Sequence, residues 1–213
     1  MRTEDLISTL AAAHGPVDRH RTRRLVLGAA LVSFAVAGVA VVLRLGARPD
    51  LMQILAEPRA AAKLIFAVGA VLAALWSVLR LSRPGAELSE TAAVLALPFA
   101  FVLSLAALEL SWSPPEAWPA LVFGASWSYC LTSIPLYAVL PFALLVLTLR
   151  EAAPTDLRGA GFATGVLAGS LATLAYELHC TEDAMPFVAA WYAGTIVAIG
   201  VLGALVVPRV VRW

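Results

Sequence analysis

The sequence predicts an all-α integral membrane protein, with six transmembrane helices preceded by a short amphipathic helix. Three observations carry that prediction. The 213 residues are 61% hydrophobic and only 14% charged, with a mean hydropathy of +0.87, far from the composition of soluble globular domains. Six apolar runs, at 25–43, 61–79, 91–110, 131–149, 159–178 and 186–207, each approach the roughly 20 residues that a bilayer core requires. The Lys and Arg residues also fall very unevenly between the connections, as they do in multi-pass proteins.

Ahead of the first run, residues 3–13 read as a helix. Thr3 can cap it, Glu4 and Asp5 suit the positive end of its dipole, and Gly15-Pro16 stops it. Leu6, Ile7 and Leu10 then share one face. A helix this short is marginal alone and needs a membrane surface, a partner groove or the rest of the protein to fold against. The acidic start, and the lack of a small-residue cleavage site after the first apolar run, argue against a secretory signal. The basic collar Arg19, Arg21, Arg23 and Arg24 reads as an orientation signal touching anionic lipid, with no direct nucleic-acid contact expected. Three segments result: a cytoplasmic N-terminal segment 1–24, a membrane domain 25–207 and a tail 208–213.

Within the spans, Lys63 is expected to snorkel from a helix end, and Pro98 and Pro141 are expected to kink their helices. Gly161, Gly165 and Gly169 repeat every four residues, a small-residue face on which helices approach closely. Packing inside the bundle is the simplest use of that face; a dimer contact is the alternative, and oligomeric state stays open. Residues 114–123, and also 50–55, read as short helices lying in the interface.

Eleven Lys and Arg residues fall on the side of the N-terminus: Arg2 and the collar, Arg80 and Arg83, Arg150 and Arg158, Arg209 and Arg212. Four fall on the other side, namely Arg44, Arg48, Arg59 and Lys63. Both termini are therefore expected in the cytoplasm, with Cys130 and Cys180 on the outer side. Trp112, Trp118, Trp127, Tyr129, Tyr137, Trp191 and Tyr192 would form the outer aromatic belt.

Chemistry concentrates in the stretch from Tyr176 to Asp183, where Cys180 and His179 stand among Glu177, Glu182 and Asp183. Two cysteines allow one intramolecular pairing, and an oxidising compartment would let a disulfide persist. They could instead be unrelated small apolar residues. A metal site of Cys130, Cys180 and His179, completed by Glu182 or Asp183, competes with the disulfide; transient binding of a thiophilic ion to reactive thiols needs less geometry. No obligatory cofactor follows from any of these readings. No Cys-x-x-Cys, Walker loop, His-Glu-x-x-His or Gly-x-Ser-x-Gly appears, and Glu109 and Glu177 stand at span ends with uncharged centres between. An enzyme or a pump is disfavoured.

The opening Met1-Arg2-Thr3-Glu4-Asp5-Leu6-Ile7, the run Cys130-Leu131-Thr132-Ser133-Ile134-Pro135, and Leu178-His179-Cys180-Thr181-Glu182-Asp183 followed by Phe187-Val188 and Trp191-Tyr192 resemble the NrsF-type anti-sigma factors. The resemblance covers essentially the whole chain. It implies a six-span bacterial inner-membrane protein that holds an extracytoplasmic-function (ECF) sigma factor through its N-terminal segment and releases it under heavy-metal or oxidative stress. Cys130 and Cys180 would then be the sensing pair, and Leu6, Ile7 and Leu10 would lie in the sigma-binding segment. Two other readings stand beside it: a small-substrate or metal permease with a thiol gate, and a structural subunit stapled by its cysteines.

Overall fold

The computed structural model describes Thr3, Ile7 and residues 20–53, 56–152 and 154–211. Leu6 and Leu10 lie outside the described residues, and so does the expected N-terminal helix apart from Thr3 and Ile7; Ile7 is helical and exposed. Among the described residues, six helices are long and apolar enough to cross a membrane: α1 (Arg21–Leu45), α2 (Pro58–Leu81), α3 (Ala92–Trp112), α4 (Trp127–Ala152), α5 (Leu157–Tyr176) and α6 (Met185–Val210). Their bounds differ from the expected runs by up to four residues. The protein is a multi-pass membrane protein, and its alternating spans bring Arg21 and Val210 to one end, where Arg21 pairs with Glu151 at 2.9 Å and Arg150 donates to the Val210 carbonyl.

Local signals set the boundaries. Gly46, at φ 85°, takes a positive-φ conformation open to glycine where α1 ends, and Pro58 occupies the first turn of α2, where its missing N–H costs nothing. The Asp156 side chain caps α5 by accepting from Gly159 N at 2.8 Å, and it also accepts from Leu88 N, tying the two connections at this end together. Between α3 and α4 the chain forms a turn at Pro115–Ala117 and the short helix Trp118–Phe123, as the sequence suggests. Of the expected 50–55 helix, Leu51–Gln53 form a single tight turn, and Ile54 and Leu55 lie outside the described residues.

The arrangement is built around α5. In its most apolar window 89% of residues are buried, against 22–44% for the other spans, although its hydropathy is the lowest of the six. The two facts have one cause. Protein surrounds α5 where lipid surrounds its neighbours, so small and hydroxylated residues such as Thr164, Ser170 and Thr173 replace large apolar ones. α5 packs against α6, α2, α4 and α1, while α3 lies outside, against α2 and the start of α6.

The glycine face supplies the tightest of these contacts. A Cβ on Gly161 would sit 2.5 Å from the Gly203 carbonyl, and one on Gly165 would collide with the backbone of Ile199 and Gly200. The stripe therefore serves α5–α6 packing inside the bundle. α6 is also not a uniform α-helix, because Val188–Ala193 form a π-helical turn before the regular run Gly194–Val210. Such turns are often found at functional sites, and this one carries Trp191 and Tyr192. Pro98, Pro135, Pro141 and Pro208 all lie inside continuous helices.

Gly165→Val should prevent the close α5–α6 approach and abolish a monodisperse detergent-solubilised peak in size-exclusion chromatography. Gly28→Ala, where nothing lies within 4 Å of the added methyl, should instead raise thermal stability by about 0.5–1 kcal/mol through helix propensity alone.

Candidate functional site

The α5–α6 connection begins one residue past α5 and crosses the end of the bundle remote from Arg21 and Val210. Glu177 follows the last helical residue, Tyr176, and Cys180 lies in the turn beyond, its N–H bonded to the Tyr176 carbonyl. Cys130 sits one turn inside α4. Both cysteines are free and buried, and their side chains meet. The Cys130 sulfur is also 3.8 Å from the Tyr176 hydroxyl, and the Tyr192 side chain reaches Cys180 from α6. A helix, a loop and two aromatic rings thus enclose the thiols.

Two cations fasten the loop that carries Cys180. Arg48, from the α1–α2 connection, holds Asp50 through two bonds of 2.7 Å, reaches the two Asp183 oxygens at 2.8 and 3.2 Å, and donates to the Cys180 carbonyl at 3.1 Å. Its backbone N–H adds a bond to the Leu178 carbonyl at 2.8 Å. Lys63, on α2, donates to the same Cys180 carbonyl at 3.1 Å and to Asp183 at 3.2 Å, lies 3.4 Å from Glu177, and stands 4.8 Å above the Tyr192 ring. The Cys180 carbonyl accepts from both cations. Any shift of Cys180 therefore disturbs a buried ion cluster.

This geometry corrects one expectation. Lys63 does not snorkel: its side chain is 0% exposed, because Glu177 and Asp183 come down from the α5–α6 connection to meet it. The sequence places Arg48 and Lys63 on the side otherwise poor in basic residues, but it does not show that they turn inward to meet these carboxylates. The other rim residues serve separate purposes. His179 Nδ1 lies 3.1 Å from the Gly46 carbonyl, with its ring 5.7 Å from Tyr176, and Glu182 accepts from Ala125 N at 2.8 Å. Glu109 pairs with Arg59 at 2.8 Å and accepts from Met185 N at the start of α6. Among the described residues, no group of three or more His, Cys, Asp or Glu side chains is placed to hold a metal ion; the thiol pair is the sulfur donor set that remains.

Charge and burial set the ionisation of the loop. Asp50 is drawn down to about 2, first by its hydrogen bonds from Arg48, and Arg48 is raised by the same partner and by Asp183, against burial. Glu177 goes the other way, to about 7, because burial outweighs the nearby Lys63 charge. The Cys180 thiol is held below its ordinary value by the adjoining Cys130 thiol and then by Lys63, with burial opposing. Two free thiols side by side have the composition that a disulfide or a shared soft metal ion requires.

Comparison with known proteins gives a consistent picture. The sequence profile of a family described as "Negative regulator of sigma F" (NrsF) matches residues 10–213. A protein of Azospira oryzae named "Probable anti-sigma-F factor NrsF" is 35% identical over 216 aligned residues, spanning the whole of both chains. The "Anti-sigma-F factor NrsF" of Caulobacter vibrioides is 36% identical over 219, again spanning both. No solved structure matches the chain.

Removing one member of a buried ion cluster leaves the others uncompensated. Lys63→Met should therefore lower stability by about 3–5 kcal/mol, and a second change, Glu177→Gln, should restore part of the loss in a double-mutant cycle read by thermal unfolding. Glu177 also predicts a pH trend. Its carboxyl rises from 4.5 to about 7 in the fold, so its stabilising contribution is full below about pH 4.5 and is lost as pH rises through 7. Wild type should lose about 3 kcal/mol more than Glu177→Gln between pH 4.5 and 8, since each tenfold change in proton affinity is worth about 1.4 kcal/mol.

Proposed function

The chain belongs to the NrsF family of negative regulators of sigma F, and from that premise we propose which sigma factor it holds, where, and what releases it. It is an anti-sigma factor with a sigma factor as its partner, and not an enzyme. The partner in this reading is an ECF sigma factor, held at the bacterial inner membrane by the N-terminal segment. Both termini face the cytoplasm and both cysteines face the periplasm, in keeping with the distribution of eleven basic residues against four. Leu6, Ile7 and Leu10 lie in an apolar groove of the sigma factor, a helix-in-groove contact that keeps it from core polymerase.

Release begins at the other end of the bundle. The observation that carries this step is the meeting of the two thiols, one on α4 and one on a loop clamped by Lys63 and Arg48. A periplasmic oxidant, such as a peroxide or a disulfide, accepts two electrons and two protons from the pair as the sulfur–sulfur bond forms. A thiophilic metal ion displaces the thiol protons instead, binding Cys130 and Cys180, with His179, Glu182 and Asp183 nearby in sequence. Either event changes the spacing between α4 and the α5–α6 connection. Sigma is released only to the extent that the altered bundle binds it more weakly, since a signal shifts an equilibrium by its differential affinity alone.

Full-length protein co-expressed with its sigma factor should retain it through detergent purification. Leu6→Asp/Leu10→Asp should abolish retention without reducing the amount of membrane-inserted protein. Cadmium or diamide should elute sigma from wild type but not from Cys130→Ser/Cys180→Ser; equal elution from both proteins would exclude the cysteines as the sensor.

A further inference from the structure

The end of the bundle opposite the thiols holds a cavity of about 960 Å³, lined by His20, Thr22 and Arg23 at the start of α1, Trp76 and Arg80 on α2, Arg83 and Glu90 in the α2–α3 connection, and Ala152 at the end of α4. Three guanidinium groups face it against one carboxylate, and that carboxylate is already paired with Arg80 at 2.9 Å. Among the described residues, neither Arg23 nor Arg83 has an ion-pair partner. An anion is the complement this cavity lacks.

The surface leading into the cavity specifies the kind of anion. α1 and α2 scarcely touch each other, although they are consecutive spans. Along α2, Ile65, Val68, Leu72 and Trp76 form one exposed apolar stripe, at the helical spacing that keeps them on a single face, and the stripe ends one turn before Arg80. A free phosphate and a phospholipid headgroup offer the arginines the same anion, but the stripe is a lipid-facing surface that leads straight to them. A phospholipid uses both, with its headgroup among the arginines, its glycerol region beside Trp76, and an acyl chain along the stripe.

We propose that this cavity is a binding site for the headgroup of an anionic phospholipid, which enters laterally between α1 and α2. The site goes beyond a diffuse attraction of basic residues to the membrane, because it joins Arg23 of the first span to Arg83 of a different connection around one half-open cavity. It also has a consequence for the N-terminal segment. His20, Thr22 and Arg23 are the first residues of α1 and its cap, so a bound headgroup pins the root of the arm that precedes them.

The test uses full-length protein in phosphatidylcholine bilayers doped with brominated phosphatidylglycerol or brominated phosphatidylcholine. The Trp76 signal is taken as the difference between wild type and Trp76→Phe. Brominated phosphatidylglycerol should quench Trp76 at a several-fold lower mole fraction than brominated phosphatidylcholine. Arg23→Gln/Arg83→Gln should remove that preference, and Arg23→Lys/Arg83→Lys, which keeps the charge, should retain most of it. Equal quenching by the two lipids in wild type, or an undiminished preference in the Gln variant, would overturn the proposal. So would loss of the preference on adding inorganic phosphate, which would mark a small-anion site, or on adding the sigma factor, which would mark a protein-docking face.

Discussion

An ammonium withdrawn from water at the edge of a bilayer costs several kcal/mol unless fixed counter-charges meet it, and Lys63 is withdrawn completely. The end of the bundle that carries the cysteines is organised by that requirement. Glu177 and Asp183 must descend from the α5–α6 connection, which fixes the path of the loop. Arg48 then closes the loop from the α1–α2 connection, sharing with Lys63 the carbonyl of Cys180. Cys180 is therefore held by its own backbone in a cluster whose charges leave little freedom to move. Cys130 arrives from α4, a different element, so a bond between the sulfurs or a shared metal ion would pull a span against a loop anchored by two cations.

The support beneath this loop is α5. Because the helix is built from small residues and enclosed by protein, it brings α6 within backbone contact along Gly161, Gly165 and Gly203. The π-helical turn in α6 accommodates the approach of Tyr192, whose ring lies under the Lys63 ammonium. A displacement at Cys180 is thus applied at the end of a rigid post that contacts four of the five other spans. Packed cores of this kind respond by switching between arrangements rather than by continuous deformation, which is the behaviour required of a link between one face of the membrane and the other.

Much of this was legible in the sequence, for identifiable reasons. The six spans follow from the length of apolar sequence a bilayer demands, and the glycine face follows from the need for close helix approach, so both could be read without a partner in view. Cys130 and Cys180 could be placed at the same end of the bundle from span direction alone. Lys63 and Arg48 were harder. A cation at a helix end looks the same in sequence whether it reaches water or folds inward, and only the three-dimensional path of residues 177–183 distinguishes the two. The π-helical turn, and the partnership of Tyr176 and Tyr192 with the thiols, likewise depend on contacts between elements far apart in the chain. The proposed sigma-binding role of Leu6, Ile7 and Leu10 rests on the family resemblance, with the amphipathic pattern placing them on one face.

In the proposed mechanism the sigma factor reads the state of the thiol pair across the membrane. The most direct measurement is a redox titration of the full-length protein with bound sigma factor in proteoliposomes. At each potential the Cys130–Cys180 disulfide fraction would be quantified by mass spectrometry, alongside the fraction of sigma still bound. Bound sigma should fall in step with disulfide formation and return on reduction. Complete disulfide formation with sigma retention unchanged would contradict the mechanism.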